Sequence, residues 1–165
     1  NAIGNGVADD KAVYAYVPAM IKYYLNEAPI LGNISTYELG EADAREHVFK
    51  HIDNMVIKRT NQSGGYGMIM GNSVPEEEWK KARMEIEKDP RSFIAQPIIK
   101  LSTVPCFIDG RLQPRHVDLR PYALCGPNGV QIVPGGLTRV ALKQGSLIVN
   151  SSQGGGSKDT WIVDI

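Results

Sequence analysis

Residues 55–70 combine one lysine and three glycines in an order that could hold phosphate groups. Lys58 and the glycines Gly64, Gly65 and Gly67 lie between two short apolar runs that are typical of β-strands. Glycine lets backbone N–H groups approach phosphate oxygens closely, and the lysine ammonium supplies the opposite charge. An ordinary β-hairpin whose glycines satisfy turn geometry explains the same pattern equally well.

A second lysine, Lys11, stands near the predicted start of a helix. Asp9 or Asp10 can cap this helix, which we expect to extend to about residue 25 with a kink or break at Pro18. The helix dipole opposes a cation in the first turn. Lys11 is therefore either an exposed lysine without a role, or a lysine that faces an anion together with the helix N-terminus.

A predicted strand over residues 115–124 places His116, Asp118 and Arg120 on one face by period-two alternation. A purely structural strand seldom carries three ionisable groups in a row on one face. This face is either open to solvent or lines a polar cleft.

The elements that must position these groups differ between the two parts of the chain. In the first part we expect helices and strands: strand 35–39, helix 41–52, hairpin strands 55–57 and 68–70, a helix that starts at a capping box in residues 73–76 and ends near residue 88, and strand 93–99. In the second part we expect strands alone: 103–108, 115–124, 130–133, 137–142 and 146–150, with an Asp109-Gly110 hairpin turn and a glycine loop over 151–158.

These elements predict an α+β fold with a small α+β lobe and a β-rich lobe. Pro97 interrupts the strand at the seam, and clefts between lobes are where ligands usually bind. The expected divisions are a leading loop and helix over 1–34, the small lobe over 35–97 and the β-rich lobe over 98–165.

Composition excludes several classes of partner. Lys and Arg number 18 and Asp and Glu number 18, so the charge balance does not favour nucleic acid or an anionic membrane. Neither an apolar run near 18 residues nor a signal peptide is evident, which predicts a soluble, cytoplasmic protein. We expect Cys106 and Cys125 to be reduced and structural, with no metal site. A start at Asn1 predicts a piece excised from a longer protein.

Several short motifs resemble those of ATP-grasp enzymes in type and order. They are Ala8-Asp-Asp-Lys11, Val56-Ile-Lys58, Ser63-Gly-Gly-Tyr-Gly67, Ile94-Ala-Gln-Pro97, Asp118-Leu-Arg120, Thr138-Arg139, and Asn150 followed by Gly154-Gly155. Each motif is weak, but the ordered set covers nearly the whole chain. The wording of residues 1–11, 134–142 and 150–161 resembles the circularly permuted ATP-grasp group related to glutathionylspermidine synthases.

The resemblance implies an ATP-grasp-like fold with a nucleotide cleft between the lobes, and ATP and Mg²⁺ as cofactors. It implies a ligase that activates a carboxylate as an acylphosphate, from which an amine or thiol displaces phosphate. By the same resemblance, the residues that would contact ATP are Lys11, Lys58, the loop Ser63, Gly64, Gly65, Tyr66 and Gly67, and the adenine-facing strand residues Gln96, Pro97 and Ile98.

For the acyl and phosphoryl centre, the resemblance points to Arg139 as the group that stabilises negative charge. Asp118 and Arg120 would line the substrate side or orient Arg139, and Asn150 would lie near the reacting centre with the glycines after it. The acidic Mg²⁺ ligands of the family have no counterpart in this sequence. We expect them in the parent chain upstream of residue 1, which would leave this piece inactive alone.

Two other functions stay open. The chain could be a regulatory or degenerate nucleotide-binding module without ligase activity, or a structural domain with incidental glycine turns.

Overall fold

The computed structural model of the chain describes residue 3, residues 6–150 and residues 155–163. It divides into two compact units, Asn1–Ile98 and Ile99–Ile165. Helices and a four-stranded antiparallel sheet make up the first unit, and the described part of the second contains a four-stranded antiparallel sheet without helices. The predicted α+β fold class is confirmed. The three-part division at residues 34 and 97 stays a prediction.

The first unit builds its sheet from strands that are distant in sequence. The strands are β1 (Tyr37–Glu38), β2 (Met55–Arg59), β3 (Ile69–Met70) and β4 (Phe93–Pro97), in the spatial order β1-β4-β2-β3. The helical elements, in chain order, are α1 (Gly6–Asp9), a 3₁₀ turn (Val13–Tyr16), α2 (Val17–Met20), a π-helical turn (Ile21–Leu25), α3 (Ala42–Lys50), a 3₁₀ turn (Ile52–Asn54), α4 (Glu76–Lys88) and a 3₁₀ turn (Pro90–Ser92).

The two central strands, β2 and β4, have one face in the core cluster, and the opposite face carries the buried Val56 and Ile94 beside Lys58 and Gln96. Ile57 and Ala95 are register partners, are fully buried, and belong to a core cluster with Val48 of α3 and Ile86 of α4. Burying a side chain such as Ile57 contributes about 1.5–3 kcal/mol to folding. Because strand residues alternate between faces, Lys58 is held on the opposite side of the sheet.

The helix predicted from Asp9 or Asp10 to about residue 25 starts later than expected, and its geometry changes next to Pro18, from the 3₁₀ turn Val13–Tyr16 to α2 at Val17. The Asp10 carboxylate accepts a hydrogen bond of 2.8 Å from the Ala12 backbone N–H, and this local turn competes with helix formation. Helical structure resumes only at Val13, and Pro18 lies in the first turn of α2. Lys11 therefore lies in a turn rather than in the first turn of a helix.

The capping box predicted for residues 73–76 is also absent from the structure. α4 begins at Glu76 with Pro75 as the N-cap residue and no side-chain capping bond. The Ser73 hydroxyl instead donates to the Met70 carbonyl at 3.4 Å, so it belongs to the turn after β3. The strand predicted for 35–39 shortens to Tyr37–Glu38.

The second unit is a sequential antiparallel sheet. Its strands are β5 (Thr103–Ile108), β6 (Arg111–Gly126), β7 (Gly129–Val140) and β8 (Gly156–Trp161), each paired with the next. Asp109 and Gly110 have φ values of 51° and 76°, as a two-residue type I′ hairpin requires, and this predicted turn is confirmed.

Two strand predictions in the second unit are wrong. The two strands predicted over 130–133 and 137–142 are one strand, β7. The pairing of β7 with β6 shifts its register between Pro121 and Ala123 of β6. Residues 146–150 form no strand, and the Gly155 N–H donates to the Asn150 carbonyl at 2.9 Å. β8 pairs with β7 instead, so Gly156 and Lys158 lie in a strand rather than a glycine loop. Gly154 lies outside the described residues.

Candidate functional site

Lys58 is a half-buried cation with a neutral partner. Its Nζ donates to Gln96 Oε1 at 2.7 Å, and it makes no ion pair with any described residue. Burial lowers the pKa of Lys58 below the ordinary lysine value, and the nearby charge of Lys11 lowers it further. The ammonium therefore has no counter-ion in the part of the chain that the structure describes.

Lys11 connects the N-terminal segment to the glycine loop. Its backbone N–H donates to the Thr60 carbonyl at 3.1 Å, and its ammonium donates to the Gln62 carbonyl. The positive charge of Lys11 is the second cause, after burial, of the lowered pKa of Lys58. Two interacting cations without a carboxylate create a positive potential that suits an anionic ligand.

The loop Ser63–Gly67 follows β2, the strand that carries Lys58, and contains three glycines whose backbones are in the left-handed region. Gly64, Gly65 and Gly67 have φ values of 74°, 77° and 65°. A Cβ at Gly67 would lie 2.7 Å from the Gln62 side-chain oxygen, so that position tolerates a side chain poorly. Ser63 and Tyr66 are exposed.

At the end of β4, Gln96 is buried, Pro97 is the last residue of the strand, and Ile98 follows it. The β1 strand pairs only with Ile94 and Ala95, so the edge of β4 beyond Ala95 has no neighbouring strand on that side. The Ile98 N–H donates to the Asn54 carbonyl at 2.8 Å. A ligand contact at Ile98 would therefore have to use its carbonyl.

In the second unit the structure brings the four predicted catalytic residues together. Asp118 of β6 and Arg139 of β7 are direct register partners. Arg139 Nη1 donates to Asn150 Oδ1, whereas its Nε is buried with no hydrogen-bond partner among the described atoms. Arg120 binds Asp118 through two hydrogen bonds of 3.0 and 3.2 Å.

This arrangement separates the roles of the two arginines. The Asp118 carboxylate pairs with Arg120 and makes no ion pair with Arg139, so the group that holds Arg139 is the Asn150 amide. A buried N–H without an acceptor is rare and calls for an explanation. Arg139 thus keeps an uncompensated charge and an unused donor, which suits contact with an anion.

His116, the third ionisable residue predicted on this face, is half-buried, and its Nδ1 lies 2.9 Å from the Leu101 carbonyl. The spacing missed two residues that contact the predicted ones, Gln62 beside Lys11 and Thr36 beside Gln96, and it also missed the buried Arg115. Arg115 is 5% exposed, and its Nε donates to the Leu142 carbonyl at 2.9 Å. No local signal identifies these residues, because each contact joins distant parts of the chain.

A cavity of about 610 Å³ in the first unit does not contain the two lysines. It lies beside Phe93 and α4, on the core side of the sheet, and is lined partly by Glu78 and Glu85. Arg59 at this cavity is already paired with Glu85. Lys81 also lines the cavity, but with two carboxylates beside it and Arg59 already paired, the cavity offers less uncompensated positive charge than the two lysines.

The described residues do not form a site for a magnesium ion. Among residues 3, 6–150 and 155–163 no group of three or more His, Cys, Asp or Glu side chains is arranged to hold a metal. Cys106 is buried, Cys125 is exposed, and both are free thiols. None of the described helices is long and apolar enough to cross a membrane.

Relatives of this chain carry the same pattern over nearly its full length. It is 55% identical over 163 residues to an uncharacterised protein of Mycobacterium tuberculosis, covering 99% of this chain and 30% of that protein. An uncharacterised protein of Synechocystis sp. is 53% identical over 99% of this chain and 34% of its own length. A Frankia alni protein provisionally named glutamate–cysteine ligase is 48% identical over 98% of this chain and 19% of its own length.

The chain therefore spans about a third or less of the length of these relatives. A sequence model described as circularly permuted ATP-grasp type 2 matches residues 1–141, which confirms the resemblance drawn from the motifs and the ATP-grasp character of the α+β fold. The family as a whole is of ligase type. This chain belongs to the circularly permuted ATP-grasp type 2 family.

Proposed function

We propose that this chain is the nucleotide-gripping part of an ATP-dependent ligase that joins a carboxylate to an amine or a thiol. The observation that carries the proposal is the pair of interacting lysines, Lys11 and Lys58, without an acidic partner among the described residues. Such a pair lowers the free energy of a bound polyphosphate and has no evident structural purpose.

In this proposal the first unit binds ATP. Lys11 and Lys58 donate to phosphate oxygens, and the loop Ser63–Gly67 offers backbone N–H groups to the β- and γ-phosphates. Residues Gln96, Pro97 and Ile98 meet the adenine, for which the edge of β4 beyond Ala95 is suited because no strand pairs there.

The second unit supplies the groups for the acyl centre. Arg139 stabilises the negative charge that develops on the transferred phosphoryl group and on the acylphosphate. Asn150 fixes the guanidinium through its amide oxygen, and the Asp118–Arg120 pair lines the substrate side.

The name of the Frankia alni relative supports an amino-acid-like substrate pair, a carboxylate and an amine. Family members use Mg²⁺ to neutralise phosphate charge, and we propose that its ligands belong to a part of the full-length protein outside this sequence. The alternative is a nucleotide-binding regulatory module without turnover.

The binding test compares Lys58→Ala and Lys11→Ala with Lys50→Ala, which removes an exposed lysine from the end of α3. Isothermal titration of the full-length protein with ATP should show Kd raised about ten- to a hundredfold by each of the first two changes, the value of a charge-assisted hydrogen bond. Lys50→Ala should leave Kd unchanged. Unaltered affinity in both test variants would overturn the nucleotide grip.

Turnover separates the ligase from the regulatory alternative. ADP release by the full-length protein is measured against a panel of carboxylates paired with amines or thiols. Release that depends on both substrates supports the ligase. ATP binding without release under any pair supports the regulatory module.

A further inference from the structure

The geometry points to Gln96 and Thr36 as positioning residues that hold the Lys58 ammonium in place through their side chains. This inference rests on the proposed function, because the position of the Lys58 ammonium matters for binding only if it donates to a phosphate oxygen. It differs from the adenine contact proposed for Gln96, which uses the backbone. Thr36 belongs to none of the motifs in the sequence.

The first observation is a continuous chain of hydrogen bonds from β2 through β4 to the segment that precedes β1. Lys58 Nζ donates to Gln96 Oε1 at 2.7 Å, and Gln96 Nε2 donates to Thr36 Oγ1 at 2.9 Å. The Thr36 hydroxyl donates in turn to the Ile34 carbonyl at 3.1 Å. The Ile34 N–H donates to the Tyr14 hydroxyl at 3.1 Å, which ties the chain to the N-terminal segment.

Sheet register explains why these side chains meet. Val56 pairs with Gln96 and Lys58 pairs with Ile94, so Lys58 and Gln96 are diagonal neighbours on the same face. Diagonal cross-strand neighbours are within reach of long side chains. Gln96 is 8% exposed, so its amide is fixed inside the sheet rather than rotating in solvent.

The direction of the bonds gives Thr36 its role. An amide rotated by half a turn would point its NH₂ group at the Lys58 ammonium and its oxygen away from it. The Thr36 oxygen accepts from Nε2 and thereby favours the orientation that turns Oε1 toward the lysine. Bonds that run in one direction also polarise one another, which strengthens the chain.

A neutral amide suits this task better than a carboxylate. It fixes one donor direction of the ammonium and leaves the positive charge uncompensated. A lysine side chain carries about 2 kcal/mol of rotamer entropy, part of which this contact removes before a ligand arrives. Glu38 lies on the same face of the sheet, because it and Lys58 both pair with Ile94, and Lys11 is the charged group that lowers the pKa of Lys58.

The test uses the full-length protein and four variants: Thr36→Val, Thr36→Ser, Gln96→Met and Gln96→Glu. We expect Thr36→Val and Gln96→Met to raise the Kd for ATP three- to tenfold, and Thr36→Ser to restore it within twofold. Gln96→Glu should weaken ATP binding more and raise the pKa of Lys58, because a carboxylate stabilises the ammonium and offsets its charge. The pKa is read from the Lys58 signal in NMR of ¹³C-labelled lysine.

A merely structural role predicts a different result. Thr36→Val would then lower the melting temperature without changing the Kd for ATP or the Lys58 titration. Thr103→Val, which removes an exposed hydroxyl from β5, controls for the loss of a threonine as such.

The outcomes also separate this inference from the proposed function. If Lys58→Ala weakens ATP binding while Thr36→Val and Gln96→Met leave the Kd within twofold of the original, the positioning role is refuted and the nucleotide grip stands. If Lys58→Ala itself leaves the Kd unchanged, the proposed function fails first.

Discussion

Lys58 in the first unit and Arg139 in the second share an unusual environment. Each is a half-buried cation whose contact is a side-chain amide oxygen, from Gln96 and Asn150 respectively. Elsewhere in the described chain, Arg59 and Arg120 have carboxylate partners. An amide orients a cation without cancelling its charge, so both residues are prepared to meet an anion.

At Arg139, substitution should separate binding from chemistry. We expect Arg139→Ala to leave the Kd for ATP within about threefold and to lower kcat about 10²- to 10³-fold, because its stabilisation belongs to the charge that develops in the transition state. ATP titration and ADP release on the full-length protein measure the two effects. Arg111→Ala, at an exposed arginine of β6, is the matched control. Equal losses of affinity and turnover would contradict this role.

The pKa of Lys58 should respond to Lys11. We expect Lys11→Met to move the pKa of Lys58 upward, toward the ordinary value of 10.5, because one cause of its lowering is removed while burial remains. Titration of the Lys58 NMR signal without nucleotide measures this shift. An unchanged titration would show that the two ammonium groups do not interact.

The lowered pKa of Lys58 also determines how the free energy of unfolding changes with pH. Between the lowered pKa and 10.5 the unfolded chain holds more protons at Lys58 than the folded chain. The contribution of Lys58 therefore makes the free energy of unfolding rise with pH across this window. Lys11→Met should raise the pKa of Lys58 in the folded chain and so narrow this pH range. The free energy of unfolding in urea, measured at several alkaline pH values, tests this.

At the scale of elements, two hairpins determine what surrounds the two cations: β2–β3 for Lys58 and β6–β7 for Arg139. In the first unit β2 delivers Lys58 and the following loop returns to β3, with Val56 opposite Met70. In the second, β7 delivers Arg139 between β6 and β8, with Asp118 on one side and Ser157 on the other. Rigid strands thus hold the charged groups, and the glycine loop is the element free to adapt to a ligand.

The glycine loop offers a matched comparison. Gly67→Ala and Gly110→Ala both place a side chain at a left-handed residue, with φ of 65° and 76°, and each should cost about 1–2 kcal/mol of stability. Gly67→Ala lies in the proposed phosphate loop and would displace only the flexible end of the Gln62 side chain. Because it strains the backbone of that loop, we expect it to weaken ATP binding at least threefold, whereas Gly110→Ala should not. ATP titration and thermal melting measure both. Equal ATP affinity in the two variants would argue against a role for the loop.

For the whole molecule, the division into two units places the phosphate-binding candidates in Asn1–Ile98 and the acyl-centre candidates in Ile99–Ile165. Neither unit offers a cluster of metal ligands among its described residues. The relatives are about three to five times longer than the segment they share with this chain. The proposed ligase reaction would therefore draw its metal ligands from parts of the full-length protein outside this sequence.

This requirement gives a prediction for the isolated chain. We expect residues 1–165 alone to release ADP at less than a hundredth of the rate of the full-length protein, because the acidic metal ligands and substrate-binding parts are missing. Coupled ADP assays with and without Mg²⁺ measure the rates, and circular dichroism checks that the isolated chain is folded. Comparable rates would show that the chain contains its own metal ligands.

Much of the local structure was predictable because neighbouring residues encode it. The Asp109-Gly110 turn follows from the left-handed conformations that these two residues tolerate. The apolar runs around Ile57 and Ala95 follow from burial of alternate strand positions. The helix predicted over 9–25 starts late, where the Asp10 side chain forms a local turn, a competition that periodicity does not reveal.

By itself, the sequence determined the α+β class, the family motifs and the identity of the two lysines and Arg139 as candidates. Only the tertiary structure decided their partners: Gln96 lies 38 residues from Lys58, and Thr36 lies 60 residues from Gln96. It also decided that β8, rather than residues 146–150, pairs with β7 and leaves Asn150 to hold Arg139. Periodicity gives the face on which a side chain lies, whereas strand order and register decide which distant side chain it meets.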